Sequence, residues 1–170
     1  MNEMDCFKNF KTQCLFRLDE NNRMLQKALD NLDEAAIWKQ PNTHLNSIGN
    51  LIVHLCGNMT QYGIAALNGL PDLRNRDAEF INSGTLKKSD LLQELFDTVQ
   101  RVKDTITHLP PEKLSKSYTI QGFQMPGLGA ILHVVEHYSY HTGQIAFWVK
   151  YLKDMDLGFY DGIDLNAKNN

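Results

Sequence analysis

Long apolar runs, basic clusters and helix-breaking residues are all scarce in this chain of 170 residues. Its longest uninterrupted apolar stretches extend over only a few residues, far short of the ~18 to 20 needed to cross a bilayer as a helix. Met1 to Phe16 mixes Asp5, Lys8 and Lys11 among its apolar residues, so no export signal is expected and the chain reads as cytoplasmic. With 17 Lys+Arg against 20 Asp+Glu, a net charge of −3, and no basic run longer than Lys87-Lys88, it lacks the electrostatic footprint of a nucleic-acid binder. Only 11 Gly and 5 Pro are present while 42% of residues are hydrophobic, which excludes a low-complexity chain and supplies a core. One domain spanning residues 1–170 is expected.

The three cysteines cannot all pair, and Cys6 and Cys14 would lie about 12 Å apart along a helix, too far for a disulfide. They read as reduced thiols acting as small hydrophobes, with Cys56 kept as a minor functional option because it lies beside His54.

Periodicity gives four long helices and almost none of the alternation of an amphipathic sheet. The first is expected from about Asp5 to Leu32, on Phe7, Phe10, Cys14, Leu18, Leu25 and Leu29. Ser47 is expected to cap a second that continues through Leu51, Leu55 and Tyr62 towards Gly69, where Leu70-Pro71 stops it. The polar stretch Asp72 to Lys88, with Arg74, Arg76, Asp77 and Glu79, reads as a crossover connection. Ser89 is expected to cap a third helix that ends at Leu109-Pro110-Pro111. Ser117 to Met125 is expected as a small hairpin or an ordered loop around Gln121-Gly122, and the fourth helix follows Pro126 to about Lys153. Residues 154–170 read as a surface-hugging or frayed tail. Its aspartates form no EF-hand, since Phe159 and Leu165 occupy the positions that need Gly and Glu. No P-loop, dinucleotide fingerprint, nucleophile elbow or Cys-x-x-Cys is present.

The fourth helix carries His133, His137 and His141 at i, i+4 and i+8, and neighbours four apart share a face. Two imidazoles so spaced can reach one cation at about 2.0 to 2.1 Å. A helical wheel with Ile131 at zero puts His141 near 280°, His137 near 240° and His133 near ~200°, so the first two border the apolar arc and His133 leans away. On the second helix, His54 falls at the border of the arc, with Asn58 one turn beyond. Border positions of adjacent bundle helices can converge on a cleft, and three imidazoles leave coordination positions open, as in a catalytic site. His44 and His108 read as ordinary surface histidines, Glu136 as a solvated charge, and Tyr140 and Trp148 as wall or core.

The segments Ile52-Val53-His54-Leu55-Cys56-Gly57-Asn58 and His133-Val134-Val135-Glu136-His137-Tyr138-Ser139-Tyr140-His141-Thr142-Gly143-Gln144-Ile145 resemble those of the DinB-like, damage-inducible four-helix-bundle metalloenzymes of bacteria. The resemblance covers most of the chain. It implies an all-α, up-down-down-up bundle with a long crossover, frequent homodimers, and a divalent metal on His54, His137 and His141. The chain departs from that pattern at Tyr140, where a further His often stands, and at Thr142, where Arg often does. Asn58 and Gln144 are candidates for orienting a ligand or bound water. Imidazole suits several metals, with zinc or nickel expected. Relatives of the bundle include thiol-dependent S-transferases and isomerases, so the resemblance implies metal-activated transfer of a low-molecular-weight thiol to a small-molecule substrate. Metal-dependent hydrolysis and a non-catalytic, metal-binding dimeric bundle remain as alternatives.

Overall fold

The computed structural model describes residues 3–81, 84 and 86–168. Asn82, Ser83 and Thr85 of the expected crossover, and Asn169 and Asn170 of the expected tail, lie outside the described residues. The first long helix, α1 (Glu3–Leu29), buries Cys14, Leu18, Leu25 and Leu29 on one face. It stops before Leu32, because Asp33 caps a short helix α2 (Glu34–Ile37), its carboxylate accepting from the Ala36 amide at 2.8 Å. An N-cap acceptor needs non-helical backbone, which ends the preceding helix.

Ser47 caps α3 (Ile48–Met59), accepting from the Asn50 amide at 3.1 Å. The second long helix is not regular throughout: a π-helical turn, Thr60–Ala65, interrupts it before α4 (Ala66–Asn68). The break starts two residues after Asn58, and single π turns inside α-helices often mark functional sites. A short helix α5 (Ala78–Ile81) then folds the crossover back onto α3.

The third long helix, α6 (Lys88–His108), begins two residues earlier than a Ser89 cap would require. Ser89 lies in the first turn and donates to Asp90 Oδ1, while Glu34 Oε1 accepts the Lys88 amide at 2.8 Å. The orphan donor at that helix start is therefore met by a carboxylate from α2 instead of a local hydroxyl. A short helix α7 (Pro111–Ser115) leads to an antiparallel hairpin of β1 (Ser117–Ile120) and β2 (Phe123–Pro126). Its two turn residues, Gln121 and Gly122, have φ of 51° and 82°, the two positive values of a type I′ turn. The fourth long helix, α8, spans Gly127–Lys153.

Contacts between the four long segments fix their directions. Tyr138 on α8 donates to Asn22 on α1 at 2.6 Å, and Arg23 and Lys27 of α1 donate to the Phe159 and Gly158 carbonyls just past the end of α8. Hence α1 and α8 run parallel. Lys11 reaches the Thr107 carbonyl while Lys103 reaches Asp19, so α1 and α6 are antiparallel. Gly63 lies beside Val102, and Asn68 donates to Thr105, so the second and third segments are parallel. Together these contacts give an up-down-down-up bundle whose parallel middle pair requires the Asp72–Lys88 crossover. Ile52, Leu55, Met59, Leu95, Val99, Val102, Ile131, Val134 and Tyr138 fill its centre. Leu157 is buried and Phe159 half-buried, so the start of the tail packs against the bundle, whereas residues 160–168 are exposed.

Candidate metal centre

The parallel and antiparallel pairings bring the middle of α3 against the middle of α8. His54 faces His137 and His141 there, and one ligand atom from each of the three lies within 4.8 Å of the others. His54 and His141 are buried and His137 is half-buried. His54 Nε2 stands 2.9 Å from His137 Nε2. The i, i+4 spacing on α8 therefore meets a third imidazole from a neighbouring helix, and the group could hold a metal ion.

The outward nitrogens of two of these rings are tied. His54 Nδ1 lies 2.7 Å from Glu79 Oε2, and His141 Nδ1 lies 2.7 Å from Gln144 Oε1. An imidazole that gives its Nδ1 proton to a carboxylate or amide oxygen keeps a lone pair on Nε2. In His54 that lone pair faces His137. Burial pushes His137 down to about 3, helped by the neighbouring His141, His54 and His133 rings. Burial lowers His141 to about 4 against the opposing hydrogen bond from Gln144, and it lowers His54 despite Glu79. All three imidazoles are therefore neutral near pH ~7, the form that ligates a metal. The donor set, its protonation and its outer partners all fit a divalent cation.

Glu79 is the residue that sequence reasoning missed as a partner of the site. It sits in the crossover, read as a polar connection, yet its side chain is only 6% exposed. Arg74 clamps it, Nε to Oε1 at 2.7 Å and Nη2 to Oε2 at 2.9 Å, and Arg74 in turn donates to Gln61 at 2.8 Å. Asn50 holds the Glu79 carbonyl from α3 at 3.0 Å. Room for the carboxylate comes from Gly57, where an added Cβ would stand 2.1 Å from Glu79 Oε1. The one available sequence signal was an acidic residue inside the apolar tetrad Ala78-Glu79-Phe80-Ile81.

Asn58, the candidate for orienting a ligand or bound water, places its Nδ2 3.1 Å from His133 Nε2, outside the three-histidine group. One other expectation is corrected. His133 does not lean away. It is half-buried, stacked on His137 at 5.3 Å between centroids and on Tyr62 at 4.1 Å. A wheel measures angle about one axis only, whereas the reach of Asn58 from α3 and of Tyr62 from the π-helical turn covers the flank on which His133 stands. Gln144 lies on His141, as described above. Burial first and Glu94 second hold the Cys56 thiol up to about 12, which keeps it protonated near neutral pH. Tyr140 packs edge-on to His141, and Tyr140, Gln144, Trp148 and Leu51 line a groove of about 660 Å³ between α8 and α3.

The family described as "Protein of unknown function (DUF1572)" matches residues 5–160. The chain belongs to the DUF1572 family. The crystal structure of a DinB-like protein of Bacillus subtilis, YjoA, superposes with a TM-score of 0.66 at 17% sequence identity, covering 87% of this chain and 96% of that one. That likeness establishes a DinB-like fold for this DUF1572 member. No protein with a curated description matches the chain. Among the described residues no helix is long and apolar enough to cross a membrane.

Proposed function

We propose that this protein is a divalent-metal-dependent enzyme in which His54, His137 and His141 hold the ion and a low-molecular-weight thiol is transferred to a small electrophilic substrate. The observation that carries the reading is the convergence of three neutral imidazoles, with His54 and His141 each oriented through the far nitrogen. A divalent ion held by three histidines supplies Lewis acidity that makes a weakly acidic nucleophile available near neutral pH. Glu79 and Gln144 hold the rings in the ligating tautomer, and Arg74 holds Glu79. The groove lined by Leu51, Tyr140, Gln144 and Trp148 supplies an apolar wall for a small molecule.

Transfer is preferred to hydrolysis because neither nearby carboxylate is placed as a general base. Glu79 is committed to Arg74 and His54, and Glu136 is exposed. A thiol, with an ordinary pKa of ~8.5, gives up its proton far more readily than water, and in the transfer that proton passes through solvent to the group that leaves the electrophile as the new carbon–sulfur bond forms. The homodimer and the cytoplasmic setting belong to the same proposal, the first measurable by sedimentation of purified protein.

The test begins with metal analysis of protein purified without added metal, followed by zinc and nickel titration of the wild type and His137→Ala. The substitution is expected to abolish stoichiometric binding while helix content stays largely intact. Retained one-to-one binding by the variant would remove the site. Metal-loaded protein is then assayed with electrophiles with and without a small thiol; turnover that ignores the thiol would leave hydrolysis as the reading.

A further inference from the structure

We infer that His133 is a substrate-orienting group of the same centre, presenting its Nδ1–H as a hydrogen-bond donor to an acceptor oxygen, a carboxylate or carbonyl, on the thiol or electrophile. The inference rests on the function proposed above and assigns a recognition role to a histidine outside the three-ligand set. His133 stands one helical turn before His137, and its ring is fixed on three sides. Tyr62 and His137 stack on it, and the Asn58 amide meets Nε2 at 3.1 Å. Tyr62 is itself held through its hydroxyl to Gln121 in the hairpin turn, at 2.9 Å.

The tautomer follows from Asn58, which is 3% exposed. One end of its amide is on His133 and the other, Oδ1, is buried with no partner. Turning the amide over would instead orphan an NH2 with two donors, a costlier arrangement than one under-satisfied carbonyl oxygen. Asn58 Nδ2 is therefore the donor, His133 Nε2 the acceptor, and the proton is on Nδ1. No hydrogen bond to a described residue engages that Nδ1, and it is not among the buried unpartnered atoms, so solvent reaches it. A ring locked in tautomer and orientation beside a metal centre, with its donor reached by solvent, is what recognition of an acceptor requires. Exposed Arg76, over the Phe80 ring that packs on His54, adds positive charge on the His54 side of the centre; exposed Glu136 and half-buried Arg74 are the charges that act on His133.

The probes are 3-mercaptopropionate, 3-mercaptopropionamide and 1-propanethiol, titrated calorimetrically into zinc-loaded wild type, His133→Phe and Asn58→Leu. Phenylalanine keeps the stacking on Tyr62 but removes the donor. In the wild type both oxygen-bearing thiols are expected to bind about tenfold tighter than propanethiol. His133→Phe should erase that preference without changing zinc stoichiometry, and Asn58→Leu should reduce it. Equal binding of all three thiols by wild type and His133→Phe would overturn the inference while leaving the thiol reading intact. Failure of every thiol to bind would overturn the proposed function and the inference with it. Long-range nitrogen–proton NMR of the wild type gives an independent reading: a His133 protonated on Nε2 refutes the donor assignment whatever the thiols do.

Discussion

Acidification of the metal-free protein tests the buried neutral histidines directly. In the unfolded chain His137 and His141 titrate near the ordinary ~6.5, whereas in the fold they are held down to about 3 and about 4. Between these limits the unfolded state binds more protons than the folded one, so stability falls as pH falls through the unfolded value. From about pH 7 to about pH 5 an imidazole of pKa ~6.5 goes from mostly neutral to almost fully protonated, while the folded groups remain neutral. The linkage integral gives about 2 kcal/mol for each ring, or about 4 kcal/mol for the pair. That is a large part of a typical folding free energy of ~5 to 15 kcal/mol. The assay is urea unfolding followed by circular dichroism, in chelator and at constant ionic strength, at both pH values. Carboxylates and the other histidines contribute too, so the reference is the double variant His137→Gln with His141→Gln. The wild type should lose about 4 kcal/mol more than this reference over the same interval. Equal losses in the two proteins would show that the rings are not held neutral by burial, and the argument for a ligating tautomer would fail with them.

Glu79→Gln removes the carboxylate that orients His54 and neutralises Arg74, whose side chain is only 5% exposed. Zinc affinity is expected to fall about 10- to 100-fold, and the metal-free protein to lose about 3 kcal/mol or more through the uncompensated guanidinium; competition with a chromogenic chelator and urea titration read the two, and affinity within about twofold of wild type would contradict the orienting role. Gly57→Ala places a methyl group where Glu79 Oε1 stands. It should lower zinc affinity in the same direction as Glu79→Gln although residue 57 touches none of the three histidines, and a crystal structure of the variant should show the Glu79 carboxylate displaced.

The helical class and the α8 half of the site were legible because they depend on local order, and the hairpin was one of two readings of its segment. Apolar spacing, Ser47 before a helix, the Gln121-Gly122 pair, and the i, i+4 placement of His137 and His141 are all relations within a few residues. His54 could be placed at the edge of its apolar arc by the same arithmetic. The ends of α1 and α6 were less legible. Asp33 and Glu34 act there as caps, and Glu34 does so across more than fifty residues of chain. The π turn at Thr60–Ala65 also leaves no periodic signature that a regular wheel would detect.

By itself the sequence determined that four amphipathic segments would bundle and that two of them would carry imidazoles along their polar borders, because burial of an apolar stripe dictates which face points inward. Tertiary structure alone decided which polar groups meet there. The crossover folds Glu79 and Arg74 onto His54, and α3 with the π turn after it sets Asn58 and Tyr62 against His133. Those partnerships join residues tens of positions apart, and the distance between them in space is set by how the helices pack, which no pattern along the chain encodes.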